Sequence, residues 1–255
     1  MPIPVGYHEP LLTPRAARSV EAVWSYCADH SGSTTVLPDG RCDVILRFNV
    51  HSDARAVPIL TGPATAPYRV TYQNGDTWVG VRLRPHFGAA LWSKRLVEMV
   101  DDVLRGEEVE KAQPAFAQIV SVPRHEDALR RALGSFVAAL PAPISPASLT
   151  MALDALHTSG GRMPITKLAD ITGRSTRQLG RQFRASIGIS PKTYSGLIQA
   201  HRALRLISKS GLSLSQIALE AGYADHAHMS RAVRQVSGFA PRDVPETLTQ
   251  PGFFR

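Results

Sequence analysis

Two stretches of the chain place apolar and polar positions in the same order. Leu168-Ala169, Gly173, Ser175, Leu179, Arg181, Phe183, Gly188 and Pro191 are matched by Ile217-Ala218, Gly222, Asp225, Met229, Arg231, Val233, Gly238 and Pro241. The early positions match at an offset of 49 residues and the later ones at 50, so the copies differ by one residue in a turn. A period of this length points first to a repeat array, but two copies are too few for a solenoid and fit a paired module. In the first copy Ile165, Leu168, Ala169 and Thr172 share one face of a short helix. Ala169 is small, as closely crossing helices require, and Gly173 can end the helix at positive φ. Ser175 and Gln178 form a capping box that starts a second helix. That helix is expected to bury Leu179 and Phe183 and to leave Thr176, Arg177, Gly180, Arg181 and Arg184 outward. In the second copy Asp225 is the expected N-cap, with Met229 and Val233 inward and His226, His228, Arg231 and Arg234 outward.

Between the copies, Tyr194, Leu197, Ile198, Leu204 and Ile207 recur at helical spacing from Pro191 to Ser208. Pro191 suits a helix start, and Gly211 breaks the chain afterwards. One helix here, ~25 Å long at 1.5 Å per residue, would space the two units. Helix, tight turn and helix is the pattern of a helix-turn-helix, whose second helix enters the DNA major groove. Successive major-groove faces lie about 34 Å apart, so one chain would read two adjacent turns.

The N-terminal half alternates differently. Ala16 to Ala28 predicts a helix with Val20, Val23, Trp24 and Cys27 along one side. Leu37-Pro38-Asp39-Gly40 is a turn signal. Cys42, Val44, Leu46 and Phe48 alternate with polar residues from Arg41 to Val50, which predicts a strand. Further strands are expected at Val57 to Thr61, Tyr68 to Tyr72 and Thr77 to Arg84, with Asn74-Gly75 as a hairpin turn between the last two. Short strands with Gly and Pro punctuation predict a small β-barrel or sandwich. Helical patterns follow from Phe87 to Leu104 and from Arg124 to Leu140. Pro141-Ala142-Pro143 and Pro146 form a stiff connector, and Leu149 to Leu156 begins the next domain. The expected organisation is an α+β two-domain chain: 1–140 a sensor or dimerisation domain, 141–147 a linker, and 148–255 an all-α domain of two helix-turn-helix units on a linker helix.

The paired motif resembles the DNA-binding domain of AraC/XylS-type transcription regulators. The residues that carry the resemblance are Leu168-Ala169, Gly173, Ser175, Leu179, Phe183, Gly188 and Pro191, then Ser215, Ile217-Ala218, Gly222-Tyr223, Asp225, Arg231, Gly238 and Pro241. It covers roughly the last hundred residues. The family usually has Phe where this chain has Val233, so looser packing is expected in the second unit. Leu37-Pro38-Asp39-Gly40 and Gly80-Val81-Arg82-Leu83-Arg84-Pro85 resemble the cupin-like N-terminal domains of some such regulators. The resemblance implies a sequence-specific regulator of transcription. It implies double-stranded operator DNA, a small-molecule effector and RNA polymerase as partners, and a homodimer.

Charge sharpens this picture. Between Met151 and Pro245 there are 13 Lys and Arg against 5 Asp and Glu, while the remainder carries 16 of each. The whole net charge of +8 therefore sits on the helical half, the electrostatic footprint of a nucleic-acid binder. No signal-peptide pattern is read in Met1 to Pro14, and no apolar run is long enough to span a bilayer. With only Cys27 and Cys42, no disulfide framework is read, so a cytoplasmic protein without membrane partners is expected.

Candidate DNA contacts are Ser175, Thr176, Arg177, Gln178, Arg181, Arg184, Lys192, His226, Ala227, His228, Arg231 and Arg234. Arginine forks suit guanine O6 and N7, so Arg177, Arg181 and Arg231 are the first choice for base reading. Gln178 is also needed for capping. Gly180 and Ala227 cannot donate from their side chains. Lys192, Thr193 and the start of the linker helix suit phosphate. All these residues also suit a solvated helix face, and it is the turn motif that favours DNA. Candidate effector contacts are Trp24, Trp78, Arg82 and Arg84. The tryptophans equally suit a core, and Arg82 and Arg84, sharing one strand face, suit pairing with acids on a neighbouring strand. His226 and His228 do not face together on a helix, so no metal and no cofactor are expected. The alternative class is an enzyme, or a thiol-based alkylation- or redox-responsive protein. It lacks a nucleophile–base arrangement, and its cysteines suit burial.

Overall fold

The computed structural model describes residues 5–9, 18–92, 95–143 and 145–245. The proline-rich start at 1–4 and 10–14, the first residues of the helix expected from Ala16, and the stretch 246–255 lie outside them.

Among the described residues there are eight strands: β1 (Gly6–His8), β2 (Val20–Cys27), β3 (Gly32–Val36), β4 (Asp43–Asn49), β5 (Val57–Thr61), β6 (Tyr68–Tyr72), β7 (Asp76–Leu83) and β8 (Val103–Arg105). Six form an antiparallel sheet in the order β1-β2-β7-β4-β5-β8, and β3 and β6 pair as a separate ribbon. Among the described residues the six-stranded sheet does not close on itself, so it is open rather than a barrel. One of its faces buries Val44, Leu46, Val79, Val81 and Leu83 against helix α3 (Glu126–Ala139), which contributes Leu129, Leu133, Phe136 and Val137. Two short helices, α1 (Glu107–Ala112) and α2 (Phe116–Ile119), complete that core. The other face carries Ile45, Ile59 and Trp78 beneath Tyr26, Val70 and Tyr72.

Three expectations are corrected here. Val20–Cys27 is a strand, not a helix. Val20, Val23, Trp24 and Cys27 happen to fall at helical spacing, but β-branched and aromatic residues suit a pleated surface, and β1 and β7 take up both edges. Asn74-Gly75 does form a turn, with Gly75 at φ +81°. Its flanking strands nevertheless part: β6 pairs with β3, and β7 lies between β2 and β4. The stretch from Phe87 to Leu104 is not one helix. It holds 3-10 helices at Pro85–Leu91 and Leu96–Met99 and then β8, whose Leu104 pairs with Leu60.

The C-terminal half is helical: α4 (Ala147–Thr158), α5 (Ile165–Ile171), α6 (Thr176–Ile187), α7 (Pro191–Lys209), α8 (Leu214–Ala221) and α9 (His226–Ser237). Leu179, Phe183, Met229 and Val233 are completely buried, together with Leu149, Leu156, Tyr194 and Leu204. Gly173 and Gly222 end α5 and α8 at φ +62° and +81°, as the tight turns need. At 19 residues, α7 is about 28 Å long. Among the described residues, no helix is long and apolar enough to cross a membrane.

Candidate nucleic-acid interface

Local sequence fixes where α6 and α9 begin. Ser175 Oγ accepts from the Gln178 backbone N–H, and Gln178 Oε1 accepts from the Ser175 N–H at 2.9 Å, so Gln178 serves the cap. Asp225 caps α9 by accepting from the His228 N–H at 2.7 Å. That bond, made to the charged carboxylate, holds the Asp225 carboxyl below its ordinary range. A second capping box, Ser213 with Gln216, starts α8.

With the cores fixed, the opposite faces point to solvent. Thr176, Arg177, Arg181 and Arg184 on α6 are exposed, as are His226, Ala227, His228, Arg231 and Arg234 on α9. Gly180, expected outward, is buried. A Cβ there would lie 3.5 Å from Arg184 Nη1, an ordinary van der Waals contact, so the arginine side chain covers this position. The His228 ring stands edge-on to Tyr223, with centroids 5.2 Å apart. Thr176, Arg177, Gly180, Arg181 and Arg184 line a cleft of about 500 Å³ with Ser190, Pro191 and Lys192. The linker helix therefore delivers its N-terminal turn and Lys192 beside the arginines of α6. Ser190 caps that turn by accepting from the Thr193 N–H at 3.0 Å.

The sheet domain reaches this unit through a turn whose place sequence reasoning missed. Leu37 is buried in the helical core. The Pro38 carbonyl lies 2.8 Å from His201 Nε2; only an N–H can donate to a carbonyl, so Nε2 carries the proton. A Cβ on Gly40 would meet Ile189, Leu197 and Tyr194 side chains at 3.0 to 3.3 Å. Arg41 is 7% exposed. It grips Glu21 through Nε and Nη2, each at 3.0 Å, and donates to the Asp39 carbonyl at 2.6 Å. Its guanidinium lies over the Tyr194 ring, 5.6 Å from the centroid, and the Tyr194 hydroxyl meets His157 Nε2 at 2.9 Å. Burial lowers the pKa of both His157 and His201.

The same turn leads back to the candidate effector residues. Arg82 Nε lies 3.2 Å from Asp39 and 3.6 Å from Asp43, and Trp24 Nε1 donates to Asp43 at 2.9 Å. Burial opposes charge on both carboxylates. At Asp39, Arg82 and Arg41 outweigh it and hold the carboxyl down; at Asp43 burial, helped by Asp39, pushes the carboxyl up. Trp78 packs among Tyr26 and Tyr72 beneath the Arg47 guanidinium. Arg84 is exposed at the end of β7, and its N–H donates to the Ser19 carbonyl. The structure thus links Trp24 and Arg82, while Trp78 sits apart. Cys27 and Cys42 are buried, and burial pushes the Cys42 thiol up, away from the activated thiolate that sensing needs.

Residues 168–246 match a helix-turn-helix domain family, and residues 13–105 match a family described as a domain of unknown function, DUF6597. A putative AraC-like transcription regulator from Streptomyces lividans is 26% identical over 77% of this chain and 59% of its own length. The transcriptional activator RhaS of Escherichia fergusonii is 32% identical over 30% of this chain. That match spans 28% of RhaS, so the chain covers less than two thirds of either relative. Among solved structures, ToxT from Vibrio cholerae superposes over 96% of this chain and 98% of its own, at 10% identity and a TM-score of 0.45. An AraC-type regulator from Chromobacterium violaceum matches 41% of this chain and 95% of its own, at 28% identity and a TM-score of 0.37.

Proposed function

The chain belongs to the AraC/XylS-type regulators, and from that premise we propose that it is a sequence-specific DNA-binding regulator of transcription. One observation carries the reading. Two helices with matching caps each bury one apolar face completely and expose arginines on the other, Arg177 and Arg181 on α6, Arg231 and Arg234 on α9. Between them α7, about 28 Å long, is comparable with the 34 Å between successive major-groove faces. Arg177, Arg181 and Arg231 read bases; Arg184, Lys192 and Arg234 hold phosphates; Ser175, Thr176, His226, Ala227 and His228 lie at the helix starts closest to the groove floor.

The sheet domain, 1–140, senses a small molecule, and 141–147 joins it to the DNA-reading part. An effector that engages Arg82 would compete with Asp39 and Asp43 for the guanidinium. Asp39 is also the neighbour of Arg41, so the competition would be felt at Tyr194 on α7. The effector then favours one arrangement of the two domains by the difference in its affinity for them. A cytoplasmic homodimer acting with RNA polymerase completes the reading.

The test is equilibrium binding to the promoter region beside the protein's own gene and to random DNA, across a salt series. Arg181→Ala and Arg231→Ala are each expected to cost about 1–3 kcal/mol of discrimination. Equal losses on both duplexes would assign these arginines to phosphate instead, and no loss on either would end the reading.

A further inference from the structure

A groove of about 410 Å³ runs between the two domains, lined by Arg95, Leu96 and Val97 of the sheet domain and by Arg181, Arg184 and Ala185 of α6. Arg181 and Arg184 also line the cleft that ends at Lys192. The two hollows therefore share a pair of arginines, and the basic surface of α6 continues onto a domain whose own charge balances to zero. Arg95 is held close by the packing beneath it. The 3-10 helix Leu96–Met99 lies against α6, and a Cβ on Gly188 at the end of α6 would meet Pro63 Cγ at 2.9 Å and the Leu96 carbonyl at 3.0 Å.

We propose that this groove is a DNA-phosphate contact in which Arg95 extends the duplex footprint of α6 onto the sheet domain. The inference rests on the reading of α6 as a DNA-reading helix. Three guanidinium groups facing one stretch of solvent raise the local potential and repel one another, and a polyanion relieves that repulsion. Glu98 lies 3.7 Å from Arg95 Nε, but the two side chains are 80% and 53% exposed. A solvated pair of this kind is weak and leaves guanidinium N–H groups for another acceptor. The sheet domain adds to the groove one solvated guanidinium and the apolar Leu96 and Val97, a lining suited to the DNA backbone, which positions a protein without reading sequence, while Arg181 keeps its base-reading role. Because Arg95 directly precedes the segment packed on α6, a shift of the sheet domain against α6 would also move this contact.

The experiment compares the full chain with Arg95→Ala and Arg95→Lys, binding a random-sequence duplex over a salt series. Arg95→Ala is expected to weaken binding severalfold and to reduce the slope of log K against log salt by about 0.9, one phosphate's share; Arg95→Lys is expected to restore most of both. An unchanged slope, or tighter binding by Arg95→Ala, overturns the proposal. Arg181→Ala, run on the promoter and random duplexes, separates the two claims. If it is silent on both, the DNA reading of α6 itself fails; if it weakens binding while Arg95→Ala is silent, only the extension to the sheet domain fails.

Discussion

The two helix-turn-helix units share a local grammar and differ in what surrounds them. The first, α5 with α6, is packed by two 3-10 helices of the sheet domain, while the Leu37–Arg41 turn grips the adjoining α7. The second, α8 with α9, makes its main contacts within itself and with α7, where Gln199 donates to the Ala221 and Gly222 carbonyls at 3.1 and 2.8 Å. Where the first unit buries Phe183 against Tyr194, ring centroids 6.2 Å apart, the second buries Val233 at the matching place. A shared pattern of side-chain N-caps on the second helices and glycine turns therefore does not make equivalent units. One is tied to the domain proposed to sense an effector, and the other is connected to it through α7.

The largest effect that separates the units is expected in their cores. Phe183→Ala should cost about 3–5 kcal/mol, and Val233→Ala roughly 1–3 kcal/mol for two methyl groups and a smaller cavity. Chemical denaturation measures both, and equal costs would erase the distinction. Next comes the turn. Arg41→Ala removes the bidentate partner of Glu21 and is expected to cost up to about 3 kcal/mol, discounted because Glu21 is 25% exposed. Proteolysis in 141–147 should quicken, while hydrogen exchange in α8 and α9 stays as it was. A larger increase in exchange in α9 than in α6 on Arg41→Ala would contradict the unequal coupling.

A smaller effect comes from pH. His157 and His201 titrate below 6.5 in the folded chain. Above that value they are neutral in both states and stability is flat. Below it the unfolded chain takes up protons that the folded chain refuses, so stability falls with pH until the folded values are reached. Asp39, held below its ordinary 3.8, adds a stabilisation that is lost at still lower pH, and the raised Asp43 works the other way. Calorimetry should show a midpoint that is level above pH 7 and declines from about 6.5, with the first decline shallower in a His157→Gln/His201→Asn double variant and the remainder left to His86, whose pKa burial also lowers. A midpoint that rises between pH 7 and 6 would contradict this assignment.

Legibility in the sequence followed the range of the interactions. Ser175, Gln178, Asp225 and the turn glycines act within a few residues, so the helix starts and their exposed arginines were readable. Val20–Cys27 was misread because its apolar spacing fits two periods, and only its pairing with distant β7 decides between them. The Asn74-Gly75 turn was visible, but the choice of β3 over β7 as partner for β6 depends on contacts some forty residues away in the chain. Arg41 looked like any polar residue after a turn; its burial depends on Glu21 and Tyr194, which nothing local announces. Arg95 was hidden by a regional charge count of zero, which says nothing about where one cation lies.

The central claim is that α6 and α9 enter neighbouring grooves of one duplex, and a chemical-protection footprint on the promoter region tests it most directly. Two protected major-groove segments about 10 base pairs apart are expected, the one assigned to α9 fading in Arg231→Ala and the other in Arg181→Ala. A single protected segment that both variants weaken alike would contradict it.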